Sequence, residues 1–146
     1  LFLGLTFNWG IVMAWTAFDN SISSDIILLY ISAIFWTLGY DTIYGAQDMS
    51  EDEIIGLKST SIKFKENIKL FVSISYMITI SVILYLFWES IKFNFFSLIF
   101  SLFSISLIYQ IMKFDKNNSN TCLKMFKLNN LSGLLLFIGI LSINYF

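Results

Sequence analysis

The chain has no proline, no histidine and no arginine, and it holds one cysteine among 146 residues. A lone cysteine excludes a disulfide framework, and without histidine a Cys/His zinc site is excluded as well. Charge is also scarce. Charged residues make up 13% and the formal net charge is −1, which gives no basis for nucleic-acid binding. Neither an initiator Met nor a basic stretch precedes Leu1, so the first apolar run does not read as a signal peptide. The start reads instead as part of something longer.

What is present is grease. Hydrophobic residues reach 57%, aromatic residues 18%, and mean hydropathy is +0.75. A water-soluble domain builds its core with roughly half of its residues apolar, so the excess must face something other than water. A bilayer core of about 30 Å needs about 20 apolar residues of helix. Five stretches come near that length, over 1–18, 26–46, 70–88, 93–112 and 128–146. The polar/apolar alternation of strands is missing, and the uncharged runs are about twice the length of a barrel strand. The expected fold is therefore an all-α membrane protein, one domain over 1–146, built as a bundle of five transmembrane helices.

The lysines orient it. Lys58, Lys63, Lys65 and Lys69 lie between the second and third spans, and Lys113, Lys116, Lys124 and Lys127 between the fourth and fifth. Only Lys92 falls in the third-to-fourth connection, and the first connection has none. Positive-inside counting places loops 47–69 and 113–127 on the cytoplasmic or matrix side.

The second span runs into five carboxylates within thirteen residues, Asp41, Asp48, Glu51, Asp52 and Glu53. If its helix continues through them, Asp48 and Asp52 fall within about 20° of Asp41 around the axis, on a stripe about 16 Å long. Three stacked acids repel unless a cation lies among them. Asp48 and Asp52, one turn apart, suit a hard ion such as Mg²⁺, which takes one or two carboxylates and keeps its other positions for water and phosphate oxygens. Lys58, after Gly56, suits a phosphate as a point charge. The plainer alternative is a solvated helix rim, which fits Glu51 and Glu53. Asp41 fits it less well: it follows a long apolar run, where an unpaired acid costs about 2.5–3.5 kcal/mol on insertion scales. By spacing alone the two alternatives stay open.

The stretch YDTIYGAQDMSEDEIIGLKSTSIKF, over 40–64, closely resembles the second aspartate-rich motif of the UbiA family of intramembrane prenyltransferases, in the style of its 4-hydroxybenzoate polyprenyltransferase branch. The later stretch NTCLKMFKLNNLSGLLLFIGI resembles that branch's last loop and helix, with its signature at Cys122, Leu123, Phe126, Asn129 and Gly133. Small departures occur at Gly45 and Ser61, where the pattern has Ala, and at Glu51, where it has Asp. The family's first aspartate-rich motif has no counterpart here, so the resemblance is to the C-terminal five helices of a fold of about nine.

The resemblance implies transfer of a polyprenyl group from polyprenyl diphosphate to the ring of 4-hydroxybenzoate in ubiquinone biosynthesis, with Mg²⁺ as cofactor. It implies Asp48 and Asp52 as metal ligands, Lys58 and Tyr44 at the diphosphate, and Asp41 and Lys58 in the catalytic machinery. For each there is a plainer role: a helix–helix hydrogen bond for Asp41, a positive-inside anchor for Lys58, an interface anchor for Tyr44. The expected partners are the two substrates and the lipid bilayer, with no nucleic acid and no protein partner implied. The expected location is a bacterial inner membrane, with the mitochondrial inner membrane as the alternative. The isolated 146-residue chain is expected to be inactive. Two alternatives accompany this reading: a family member with another aromatic acceptor, and part of a cation transporter, whose acids would line an ion path. Cys122 and the four tryptophans are expected to pack, and Asn129 and Asn130 are candidates for capping the last helix.

Overall fold

The computed structural model describes residues 2–143, and among these the chain is helical with no strand. Helices α1 (Phe2–Phe7) and α2 (Trp9–Asp19) lead into α3 (Ser24–Gly45). After α3 come two short helices, α4 (Met49–Ile55) and α5 (Thr60–Lys63), and then the long α6 (Ile68–Leu86), α7 (Phe95–Lys113) and α8 (Ser119–Ser142). Short polar side chains start several of them. Ser23, Ser59, Asn94 and Asn118 each accept a hydrogen bond from the backbone N–H three residues on, an arrangement worth about 1 kcal/mol apiece. Gly56 closes α4 at φ 78°, a left-handed conformation that costs glycine nothing.

Four helical stretches are long and apolar enough to cross a bilayer: Ser24–Gly45, Lys65–Leu86, Phe95–Lys113 and Ser119–Ser142. α3 is the most enclosed, packing against α1, α2, α5, α6 and α8, while α7 lies mainly on α8. Between them Ile43, Val72, Tyr76, Phe103, Leu107 and Phe114 are essentially sealed. Outward stripes remain apolar, with Leu70, Ile74 and Met77 on α6, Leu98, Leu102 and Ile105 on α7, and Leu134, Phe137 and Leu141 on α8. A helix apolar on every side belongs in lipid, so this is an integral membrane bundle.

The ends of the bundle sort as a serpentine requires. Lys116 Nζ donates to the Lys65 carbonyl at 2.9 Å, joining the α5–α6 and α7–α8 connections at one end. Asp25 at the start of α3 shares a cleft with Tyr85 and Leu86 at the end of α6 and Trp88, Glu89 and Ser90 just past it, which marks the other.

Three helix limits differ from expectation. The first expected span, 1–18, is two helices with a break at Asn8; residue 1 and residues 144–146, at the outer ends of the first and last expected spans, lie outside the described residues. Asn8 Nδ2 donates to the Gly4 carbonyl at 2.8 Å and reaches across to Thr37 Oγ1, also at 2.8 Å, so a bond to α3 interrupts the helix there. The last helix begins at Ser119 rather than near 128, capped by Asn118 and not by Asn129 or Asn130, so most of the expected loop 113–127 is helix. Likewise 47–69 contains α4, α5 and a 3₁₀ turn.

The middle of the bundle is cross-linked by polar side chains. Tyr76 donates its hydroxyl to Gln110 Oε1 at 2.8 Å, and Gln110 Nε2 donates to Ser132 Oγ at 2.9 Å. Ser132 Oγ in turn lies 2.8 Å from Ser106 Oγ. Buried polar groups with no water at hand are costly unless paired, and these are paired across three helices. Tyr76 can pass because position 39 of α3 is glycine: a Cβ there would lie 2.3 Å from its ring.

Candidate active site at the end of the central helix

α3 stops at Gly45. The backbone turns over 46–48, with Ala46 N–H on the Thr42 carbonyl and Gln47 N–H on the Tyr44 carbonyl, and α4 begins at Met49. This corrects one expectation. Asp41 does not share a continuous helix with Asp48 and Asp52, so the single stripe of three acids does not exist. Ala46 and Met49, on either side of the turn, are both buried.

Asp41 is partly buried on the last turns of α3 and makes no side-chain hydrogen bond or ion pair with another described residue. A helix–helix hydrogen bond therefore does not account for it here. Tyr44 is 42% exposed, and its ring centre lies 4.7 Å from that of Phe126 on α8. Tyr40 meets the same Phe126 ring at 6.0 Å. The Tyr44 position is thus set by α8 rather than by a membrane interface alone.

Asp48 and Asp52 are one turn apart, with Asp52 N–H bonded to the Asp48 carbonyl at 2.9 Å. Asp48 sits at the N-cap of α4, yet its side chain does no capping. Its carboxylate only accepts long contacts from Gln47 Nε2, at 3.4 and 3.5 Å. The Asp52 carboxylate is partly buried and has no partner among the described residues. Lys58 is exposed and equally without a partner. Glu53, by contrast, is paired with Lys65 and belongs to the rim.

A divalent cation fits this donor set. Of two carboxylates within one turn, Asp52 has no partner among the described residues and Asp48 has only the long contacts from Gln47, and Gln47 Oε1 is a buried acceptor with no hydrogen-bond partner. Buried acceptors are normally satisfied, and an ion carrying water supplies the missing donor. Among the described residues no three Cys, Asp or Glu side chains gather into a complete metal cage, so the pair leaves most coordination positions to water and phosphate oxygens.

Sequence reading gave Thr42, Thr60 and Gln47 no role at this end, since nothing in a lone hydroxyl or amide names its partner. The late signature was visible but without roles. Cys122, Phe126, Asn129 and Gly133 form one stripe of α8 turned to the rest of the bundle. The Cys122 thiol donates to the Asp115 carbonyl, Phe126 meets Tyr44, Asn129 Oδ1 accepts from Trp36 Nε1 at 2.8 Å, and Gly133 faces the Trp36 ring.

Comparison with known proteins bears on the same residues. The profile of the UbiA prenyltransferase family matches residues 1–131. The mitochondrial 4-hydroxybenzoate polyprenyltransferase of Rattus norvegicus is 37% identical over 147 residues, covering 100% of this chain and 39% of that protein. Its counterpart in Homo sapiens is 36% identical over 141 residues, covering 96% of this chain and 38% of that protein. The Arabidopsis thaliana protein of the same name is 51% identical over 73 residues, 49% of this chain and 18% of its own length. The chain thus spans about two fifths of the length of the rat and human relatives. No solved structure matches it.

Proposed function

Because the chain belongs to the UbiA prenyltransferase family, we propose that it takes part in transferring a polyprenyl group from polyprenyl diphosphate to the ring of 4-hydroxybenzoate, a step of ubiquinone biosynthesis. The acceptor is the one in the names of its relatives. The observation that carries the reading is the cluster of unused charge at one end of a lipid-facing bundle, Asp48 and Asp52 beside an orphaned Gln47 oxygen, with Lys58 also unpaired.

In this reading Asp48 and Asp52 hold Mg²⁺. When bound, that ion neutralises negative charge growing on a departing diphosphate. Lys58 adds a point charge to the same oxygens, and both interactions are stronger in the transition state than in the bound ground state. The allylic C–O bond breaks with its electron pair leaving on diphosphate. The ring carbon ortho to the acceptor hydroxyl then forms the new C–C bond and passes its proton to the released diphosphate. Asp41, one helix end deeper, supports the metal site or orients the acceptor. Tyr44, its ring set against Phe126, faces the diphosphate together with Lys58. The apolar bundle keeps water from the allylic cation. The acidic end faces the cytoplasm or matrix, as the lysine distribution suggests.

The test is prenyl transfer in membranes carrying the full reading frame, with labelled 4-hydroxybenzoate and polyprenyl diphosphate. Expected is a prenylated product that disappears on chelation and returns with Mg²⁺. Transfer that survives chelation contradicts the metal role, and transfer only to a different phenolic or quinone-precursor acceptor replaces 4-hydroxybenzoate.

A further inference from the structure

The two small-residue departures from the family pattern, Gly45 and Ser61, turn out to touch. A Cβ on Gly45 would lie 2.7 Å from Ser61 Oγ, closer than packed atoms allow, so the hydroxyl occupies the room that the missing methyl leaves. Ser61 is fully buried, and its Oγ lies 2.8 Å from Ser59 Oγ. Ser59 is the N-cap of α5, accepting from the Ile62 N–H. Nearby, Thr42 Oγ1 of α3 and Thr60 Oγ1 of α5 are 2.8 Å apart, with Thr42 fully buried. Two contacts therefore fasten α5 to the last turns of α3, and Lys58 lies two residues before the first of them, separated from it only by the N-cap Ser59.

We propose that Thr42, Gly45, Thr60 and Ser61 form a clasp that positions Lys58 for the diphosphate, so that positions 45 and 61 act as one unit. Lys58 has a long flexible stem and no partner of its own, so its backbone anchor decides where its ammonium is found. The proposal rests on the reading of Lys58 as a diphosphate ligand. None of the four clasp residues needs to touch substrate; each acts through where it holds α5.

The experiment measures KM for polyprenyl diphosphate, kcat and melting temperature for the full reading frame carrying G45A, S61A, G45A/S61A, K58Q and G45A/K58Q. G45A is expected to raise KM about tenfold with kcat within about twofold, and S61A to raise KM about threefold. G45A/S61A returns to within about twofold of the starting protein, because the methyl fills the space of the lost hydroxyl. On the K58Q background G45A has no further effect on KM. If G45A and S61A multiply, or if G45A raises KM equally with and without Lys58, the clasp is overturned while the diphosphate role of Lys58 stands. K58Q with unchanged KM overturns that role, and the positioning proposal with it. Should G45A fail to accumulate, T60V replaces it, and T60S must restore KM where T60V raised it; a fall in melting temperature with unchanged KM marks a structural contact only and contradicts the proposal.

Discussion

The middle of the bundle and its acidic end treat polar groups in opposite ways. In the middle, Tyr76, Gln110, Ser132 and Ser106 are bonded to one another across α6, α7 and α8. Thr79 and Ser32 exchange hydroxyl-to-carbonyl bonds between α3 and α6. At the acidic end, Asp52 and Lys58 have no partner among the described residues, and Gln47 Oε1 is buried and unpaired. Polar groups that serve the fold are satisfied by the fold, because in lipid no water substitutes. Groups left over where the bundle meets water are available to something that is not part of it. The contrast also weighs against an ion path through this region, since the polar groups of the middle carry no charge and are already occupied with each other.

The contrast predicts large stability effects in the middle and small ones at the acidic end. Glycine 39 is the most sensitive point: G39A puts a methyl into the Tyr76 ring, and overpacking of this kind costs about 1–3 kcal/mol. It should appear as a lowered melting temperature in detergent. Next comes Q110L, which strands the Tyr76 hydroxyl and Ser132, with an expected loss of about 1–3 kcal/mol; Y76F/Q110L should recover much of it, because both ends of the bond are then removed. A double variant no better than Q110L would show that the network is not the source of the loss. N118A, which removes the α8 cap, should cost about 1 kcal/mol. The smallest effect belongs to the Lys65–Glu53 pair on the rim, whose side chains are 42% and 49% exposed. K65Q should change stability by less than about 1 kcal/mol and leave prenyl transfer intact.

The four long spans were legible because a bilayer imposes a length and a composition that lysines then punctuate. The break at Asn8 was not, since its cause is a hydrogen bond to Thr37, which is remote in sequence. The early start of α8 was hidden by lysines that suggested a loop, although Asn118 is a good cap and the 122, 126, 129, 133 spacing is helical. At the acidic end the residues were readable as a motif and their arrangement was not. Nothing in Ala46–Gln47 predicts a helix stop, as both tolerate helix well. What accompanies the turn is the hold of Thr60 and Ser61 on Thr42 and Gly45, residues far off in the chain. Pairing between residues distant in the chain is what pattern alone does not carry.

The account stands on Asp48 and Asp52 being kept free for a cation rather than for the fold. The direct measurement is D48N/D52N in the full reading frame, read in parallel for melting temperature in detergent and for prenyl transfer in membranes. The expected result is a melting temperature unchanged or slightly raised, because two carboxylates with no cation partner among the described residues are relieved of charge, and a fall in transfer of at least about a hundredfold. Transfer at the original rate by the normally folded variant would contradict it.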